Sequence, residues 1–169
     1  AAGIDLIPSN DFSLYDQMLD MCLTVSAIPD RFHPLLEKLQ LPETDLYFAM
    51  ARGYQKGDFD VTAMEMTKWF DTNYHYIVPE FHANQAFSLL SHKVINEYKE
   101  AKNAGIDTKP VIIGPVTFLL LGKEKQADFH RIELMGNLLP VYHQLIKALD
   151  ELNVQYIQFD EPCLGTELD

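Results

Sequence analysis

Four side chains that could take part in binding or catalysis lie within one short stretch, residues 68–75: Lys68, Trp69, Asn73 and His75. A lysine ammonium can hold an anionic group as a flexible point charge. An asparagine amide can donate and accept hydrogen bonds at once, and a histidine can exchange a proton near neutral pH. We therefore take this stretch as the first candidate site, with Lys68 and Asn73 as its candidate binding residues.

Each of these residues also has an ordinary structural explanation. Taken alone, Lys68 is typical of a solvated surface lysine, and Asn73 suits a turn as well as it suits a ligand. His75 lies between two tyrosines and is typical of a hydrogen-bonded core histidine. Trp69 could stack on a flat ligand, but packing into a core is the commoner use of tryptophan.

A second group of polar residues includes the adjacent acids Asp160 and Glu161, which follow a predicted strand. Neighbouring carboxylates at the carboxyl end of a strand can hold an amine or shift each other's pKa. Asp11 and Ser13 precede a predicted helix, and we interpret them as helix caps. Gly114 and Pro115 indicate a turn, since no Gly-Lys-Ser/Thr sequence follows them to form a phosphate loop.

The elements that position these residues alternate along the chain. Apolar and β-branched runs predict strands at residues 4–8, 74–78, 111–113 and 154–159. Helical spacing of apolar residues predicts helices at 15–25, 85–102 and 129–152, the last divided at Pro140. Weaker signals predict short helices at 35–39 and 46–54, the end of a helix at 1–3, and a charged loop at 122–127.

Alternating strands and helices indicate parallel βαβ units. The sequence therefore predicts an α/β fold with about four parallel strands and flanking helices. A complete (β/α)8 barrel has eight strands and typically about 250 residues, so we expect a partial (β/α)8 TIM barrel. Such a sheet would have two open edges, which predicts self-association or completion by further polypeptide.

Composition excludes several classes of partner. The net charge of −12 argues against nucleic acid, whose phosphates need a basic surface. No apolar run is long enough to predict a membrane span, and no basic-then-apolar leader begins the sequence. Cys22 and Cys163 match no zinc or redox spacing and are typical of two buried thiols in a reducing cytosol.

Four stretches, in their order and approximate spacing, resemble cobalamin-independent methionine synthase (5-methyltetrahydropteroyltriglutamate–homocysteine S-methyltransferase), in the N-terminal half of that enzyme. They are GIDLIPSNDFS at 3–13, MTKWFDTNYHYIVPEF at 66–81, KPVIIGPVTF at 109–118 and QFDEP at 158–162. The second stretch is the most specific, whereas Asp-Glu-Pro alone is not. The resemblance implies that residues 1–169 are part of one N-terminal barrel domain in a cytoplasmic enzyme.

The resemblance also implies roles for residues. It implies that Lys68 contacts the glutamate tail of polyglutamyl folate, and that Asn73 lies in the folate-facing region. The family has an Asp-Glu-Pro in both of its barrels, and the matching aspartate of the C-terminal barrel helps to bind homocysteine. In this N-terminal copy we expect Asp160 and Glu161 to stabilise the strand end and neighbouring loops instead.

The family transfers a methyl group from 5-methyltetrahydropteroyltriglutamate to homocysteine, whose sulfur it activates on zinc. The resemblance places the zinc ligands, two cysteines with a histidine and a glutamate, in the C-terminal barrel, so no metal is expected in this chain. A basic segment of the N-terminal barrel that also meets the glutamate tail is absent as well. We expect this chain alone to be inactive, contributing scaffold and part of the folate-tail site.

Two alternatives remain. One is a non-catalytic folate-binding or interaction module, which would bind polyglutamyl folate in isolation. The other is a uroporphyrinogen decarboxylase-like barrel, which needs arginines placed for substrate carboxylates. Only Arg31, Arg52 and Arg131 are present, and none is expected near a strand end.

Overall fold

The fold contains a three-stranded parallel sheet, in a computed structural model that describes residues 3–166. Its strands are β1 (Ile7–Ser9), β7 (Thr108–Ile113) and β9 (Gln158–Asp160), with β7 in the middle. The register pairs Ile7 with Thr108 on one side of β7 and Val111 with Gln158 on the other.

Six further strands form three separate pairs. Two pairs are antiparallel hairpins, β2 (Tyr54–Lys56) with β3 (Phe59–Val61) and β4 (Met66–Lys68) with β5 (His75–Ile77). The third pair, β6 (Glu80–Phe81) with β8 (Lys123–Glu124), is parallel and only two residues long.

Helices follow or separate the strands. They are α1 (Gln17–Thr24), α2 (His33–Glu37), α3 (Glu43–Arg52), α4 (Lys93–Asn103), α5 (Pro115–Leu120) and α6 (Met135–Asp150). Short 3-10 turns occupy Asp30–Phe32, Arg131–Leu134 and Pro162–Gly165. Their apolar faces form one core, whose fully buried members include Met18, Leu19, Phe32, Met50, Ile77, Phe118 and Leu149.

The α/β class is confirmed, but the prediction of about four strands in one parallel sheet is wrong. Three of the four predicted strands form and belong to the parallel sheet, as β1, β7 and β9. The strand near residue 76 forms as β5, but it pairs with β4 and not with the sheet. The reason is visible at Ile77, whose amide donates to the Asp16 carboxylate at 3.0 Å and is therefore unavailable to a neighbouring strand.

Two helix predictions need correction. The helix predicted from residue 85 begins only at Lys93, because the amides of Ser88, Leu90 and Ser91 donate to carbonyls of the last α1 residues and Val25. Pro140 does not divide α6, which continues through it. Pro140 and Gly136 are both exposed, so water can satisfy the Gly136 carbonyl that loses its helical partner.

The remaining differences are local. The predicted loop at 122–127 contains the short strand β8. The helix end predicted at 1–3 falls mostly on Ala1 and Ala2, which lie outside the described residues.

Candidate functional site

The candidate stretch folds as the β4–β5 hairpin, in which Lys68 lies opposite His75. Its turn is held by hydrogen bonds from the Trp69 amide to the Tyr74 carbonyl at 2.7 Å and from the Thr72 hydroxyl to the Trp69 carbonyl at 2.6 Å. Phe70 adopts a positive φ of 49°, which turns the chain sharply. The hairpin therefore brings Lys68 and the turn residue Asn73 to its exposed end, while Tyr76 and Ile77 of β5 are buried.

Lys68 and Asn73 are both exposed. Within residues 3–166, the Lys68 ammonium has no carboxylate partner and no hydrogen bond. Four of the other nine lysines bind a carboxylate in that range: Lys93, Lys102, Lys123 and Lys125. The Lys68 ammonium is thus available to an anion from outside the chain.

The two aromatic neighbours of these residues have different environments. His75 is exposed, and its Nδ1 lies 3.0 Å from the Asn73 carbonyl, so the interpretation as a core histidine is wrong. The cause is its position at the start of β5, beside the exposed turn, whereas Ile77 two residues further on is fully buried. Trp69 is half-buried in edge-to-face contact with Phe70 and Tyr76, which fits its structural role.

Glu161, which follows β9, caps helix α5, which follows the neighbouring strand β7. Its two carboxylate oxygens accept the amides of Val116 at 3.0 Å and Thr117 at 2.6 Å, in the first turn of α5. A Cβ at Gly114 would lie 2.1 Å from this carboxylate, so the approach requires glycine there. The expected role in stabilising the strand end and its neighbouring loop is confirmed for Glu161.

Asp160 ends β9 and faces an open cleft of about 390 Å³. Its Oδ1 accepts the Gln158 side-chain amide at 2.7 Å, and its carbonyl accepts the Gly114 amide at 2.9 Å. The cleft is lined by Gln17, Trp69, Phe159, Asp160, Glu161 and Pro162. The structure thus brings Trp69 beside Asp160, whereas Lys68 and Asn73 are not part of this lining.

Asp16 connects the hairpin to helix α1, and no pattern in the sequence singles it out. Its fully buried carboxylate accepts the Met18 and Leu19 amides on one oxygen and the Ile77 amide on the other. Burial raises the pKa of this carboxyl group to about 6, although the three amide donors oppose that rise. Asp11 and Ser13 were predicted to cap α1; the cap is Asp16, and the Ser13 hydroxyl donates instead to Asp20 at 2.8 Å.

Lys93 is a second residue that sequence reasoning missed. Its ammonium contacts the Asn10 side-chain oxygen at 2.8 Å, the Phe12 carbonyl at 2.8 Å and the carboxylates of Asp20 and Glu97 at 3.2 and 2.9 Å. It therefore fixes the loop between β1 and α1 onto α4. In the sequence, its only signal is that Glu97 lies four residues further along the same helix, a spacing that allows an ion pair.

The residues described here do not fit a zinc site. Cys22 and Cys163 are both free and buried, and burial raises the pKa of each thiol, which opposes the thiolate form that binds metal. Across residues 3–166 no group of three or more histidine, cysteine, aspartate or glutamate side chains is arranged to hold a metal ion. In the same range, no helix has both the length and the apolar character needed to cross a bilayer.

The three arginines are occupied by internal partners. Arg31 binds Glu80 of β6 through both terminal nitrogens at 2.7 and 2.8 Å, and Arg131 binds Glu124 of β8 at 2.9 Å. Glu80 begins β6 and Glu124 ends β8, so the expectation that no arginine lies near a strand end is wrong. The Arg52 guanidinium lies 4.8 Å from the centre of the Phe48 ring. With two of the three guanidinium groups paired to carboxylates, the arrangement argues against a site built to bind the carboxylates of a porphyrinogen.

Comparison with known proteins agrees with the resemblance along the full length. All 169 residues match the family described as "Cobalamin-independent synthase, N-terminal domain". Proteins named 5-methyltetrahydropteroyltriglutamate–homocysteine methyltransferase are similar: that of Flavobacterium johnsoniae is 62% identical over 99% of this chain, and that of Cytophaga hutchinsonii is 61% identical over 99%.

A third relative with the same name, from Salinibacter ruber, is 53% identical over 98% of the chain. The chain spans only 21–22% of the length of these three relatives. On the match of the whole chain to the family and on these identities, this protein belongs to the cobalamin-independent methionine synthase family, in its N-terminal domain.

Proposed function

We propose that this chain works as part of a longer enzyme that transfers a methyl group from 5-methyltetrahydropteroyltriglutamate to homocysteine, forming methionine. The observation that carries the proposal is the match of all 169 residues to relatives named for that reaction, at up to 62% identity. The chain itself supplies scaffold and one wall of the site for the folate tail, and alone it is inactive.

In this proposal the three-stranded sheet is part of a (β/α)8 barrel. Two features support it: the parallel strands are joined through helices, and within residues 3–166 β1 and β9 each pair on one side only. The rest of the barrel and the C-terminal barrel of the same polypeptide are the first partners. Zinc, which keeps the homocysteine sulfur as a thiolate, belongs to that C-terminal barrel, since the residues here do not fit it.

Lys68 is the main contact to the glutamate tail, and Asn73 lies beside it. The tail carries several carboxylates, and the Lys68 ammonium is exposed and without a carboxylate partner in the described part of the chain. The two free buried thiols fit a reducing cytoplasm, where we place the enzyme.

The test is Lys68→Ala in the full-length enzyme, assayed with triglutamate and monoglutamate forms of the methyl donor. Loss of one exposed charge-assisted contact should raise KM for the triglutamate by about 2- to 10-fold, with little change for the monoglutamate and in kcat. Lys99→Ala, which removes an exposed lysine on α4, should change neither.

Equal losses for both donor forms would contradict a role for Lys68 in holding the tail. Binding of the triglutamate donor by the isolated 169-residue chain would instead favour a self-sufficient folate-binding module. Calorimetry on that chain with both donor forms distinguishes the two proposals.

A further inference from the structure

The Asp16 carboxylate accepts hydrogen bonds from two elements, helix α1 and strand β5. Its Oδ1 accepts the Met18 amide at 2.8 Å and the Leu19 amide at 3.0 Å, which caps α1. Its Oδ2 accepts the Ile77 amide of β5 at 3.0 Å. One buried side chain therefore fixes the hairpin strand relative to the helix start.

The backbone that carries this carboxylate is itself held in place. The Tyr47 hydroxyl, from α3, accepts the amides of Tyr15 at 2.9 Å and Asp16 at 3.1 Å, and it donates to the Asp16 carbonyl at 3.3 Å. Because this hydroxyl has used its donor and both lone pairs, the Asp16 backbone has little freedom to shift. The carboxylate is thus presented to Ile77 from a rigid base.

The hairpin is attached to the core through β5, whose Tyr76 and Ile77 are buried, and less through β4. All three residues of β4, including Lys68, are exposed, and β4 and β5 pair only with each other within the described residues. On the β5 side, the Tyr76 hydroxyl donates to the Leu121 carbonyl at 2.9 Å, and Asp16 supplies the hydrogen bond from α1. In the register, Ile77 lies opposite Met66, two residues from Lys68 on the same strand.

We propose that Asp16 is a positioning residue for the hairpin that carries Lys68 and Asn73, and so sets the preference of the enzyme for a polyglutamyl tail. This proposal rests on the proposed role of Lys68. Asp16 acts through the Ile77 amide and touches no substrate. The part of its effect on tail binding that passes through Lys68 is therefore lost once Lys68 is removed.

The experiment uses Asp16→Ser in the full-length enzyme. Serine is a good helix cap, so α1 keeps its cap while the hydrogen bond to Ile77 is lost. We expect KM for the triglutamate donor to rise, KM for the monoglutamate and kcat to stay within about twofold, and Asp16→Ser combined with Lys68→Ala to be no worse than Lys68→Ala. Hydrogen exchange should become faster in the peptide containing Ile77.

Leu149→Val is the control, since it weakens the core in α6, an element separate from the hairpin. The proposal is overturned if Asp16→Ser reduces affinity for both donor forms equally, as general destabilisation would, or if exchange at Ile77 rises no more than in the control. Failure of the proposed function looks different: Lys68→Ala would then lack a tail effect. In that case faster exchange at Ile77 without a change in tail preference would limit Asp16 to a structural role.

Discussion

At the scale of single residues, Asp16 combines two opposing demands. Its carboxylate accepts three amides, which favours the charged form, but full burial removes it from water, which favours the neutral form. Burial dominates, and Asp20 on the next turn adds like-charge repulsion, so the pKa rises from 3.8 to about 6. The carboxyl groups of Glu80 and Glu124 shift the other way, because arginines hold their pKa below the usual range.

A raised carboxyl pKa makes the contribution of Asp16 to stability depend on pH. Because the folded state holds this proton more tightly, that contribution is complete below about pH 4 and is lost as pH rises through about 6, by up to about 3 kcal/mol. Urea unfolding from pH 4 to 7 should show wild type losing stability relative to Asp16→Asn, which does not titrate. Parallel pH profiles for the two proteins would contradict the raised pKa.

Residue types told us which side chains could bind a ligand but not their surroundings. Lys68 and Asn73 were selected from their chemistry, and the hairpin exposes both. His75 was misjudged because it lies at the turn end of β5 and is exposed there, although Tyr76 and Ile77 that follow it are buried. Asp16 was missed because several polar residues before α1 could have capped it, and only the three-dimensional structure shows which one also reaches Ile77.

At the scale of elements, α5 depends on a residue 45 positions away in the chain. This helix has six residues and no side-chain cap of its own, so the Glu161 carboxylate satisfies two of its first amides. The helix packs on α6 and on the turn after β9. Glu161 therefore ties the end of β9 to the start of the helix after β7.

Replacing Glu161 by alanine should destabilise the chain by about 1–2 kcal/mol, the usual cost of losing a cap and leaving amides unsatisfied. Urea unfolding measures this cost. Glu151→Ala, at the exposed end of α6, is the matched control and should change stability by less than about 0.5 kcal/mol. A Glu161→Ala variant as stable as the control would show that water replaces the cap.

Elements with strong internal patterns were predictable, and those decided by neighbours were not. The run of Val111, Ile112 and Ile113 identified β7, and apolar spacing identified most of α6. The start of α4 was predicted eight residues too early, because residues 88–91 satisfy the end of α1 instead of extending their own helix. Asp16 occupies the edge of β5 opposite β4 through the Ile77 amide, and no period in the sequence encodes that contact.

At the scale of the whole molecule, the parallel sheet has two free edges within the described residues. β1 and β9 each pair only with β7. Apolar side chains near these edges are exposed, including Ile4 at 65%, Leu6 at 49% and Tyr156 at 62% of their surface. Unpaired edges with apolar neighbours tend to associate with other strands.

The isolated 169-residue chain should therefore self-associate as its concentration rises. Light scattering coupled to size exclusion would measure this as a mass above 19.4 kDa. Replacing Ile4 and Leu6 by lysine should reduce the association, because charged residues at an edge disfavour strand pairing. A chain that stays monomeric at every concentration would show that these edges are protected.

The order of strands in the sheet also affects synthesis of the protein. β1 pairs with β7, which lies about 100 residues further along the chain: the Asn10–Val111 hydrogen bond spans 101 positions. At about 5–20 residues per second, the ribosome needs roughly 5–20 seconds to supply that partner. During this interval β1 is outside the exit tunnel without β7, so chaperones that bind nascent apolar segments should contact Ile4 to Ile7 before β7 emerges.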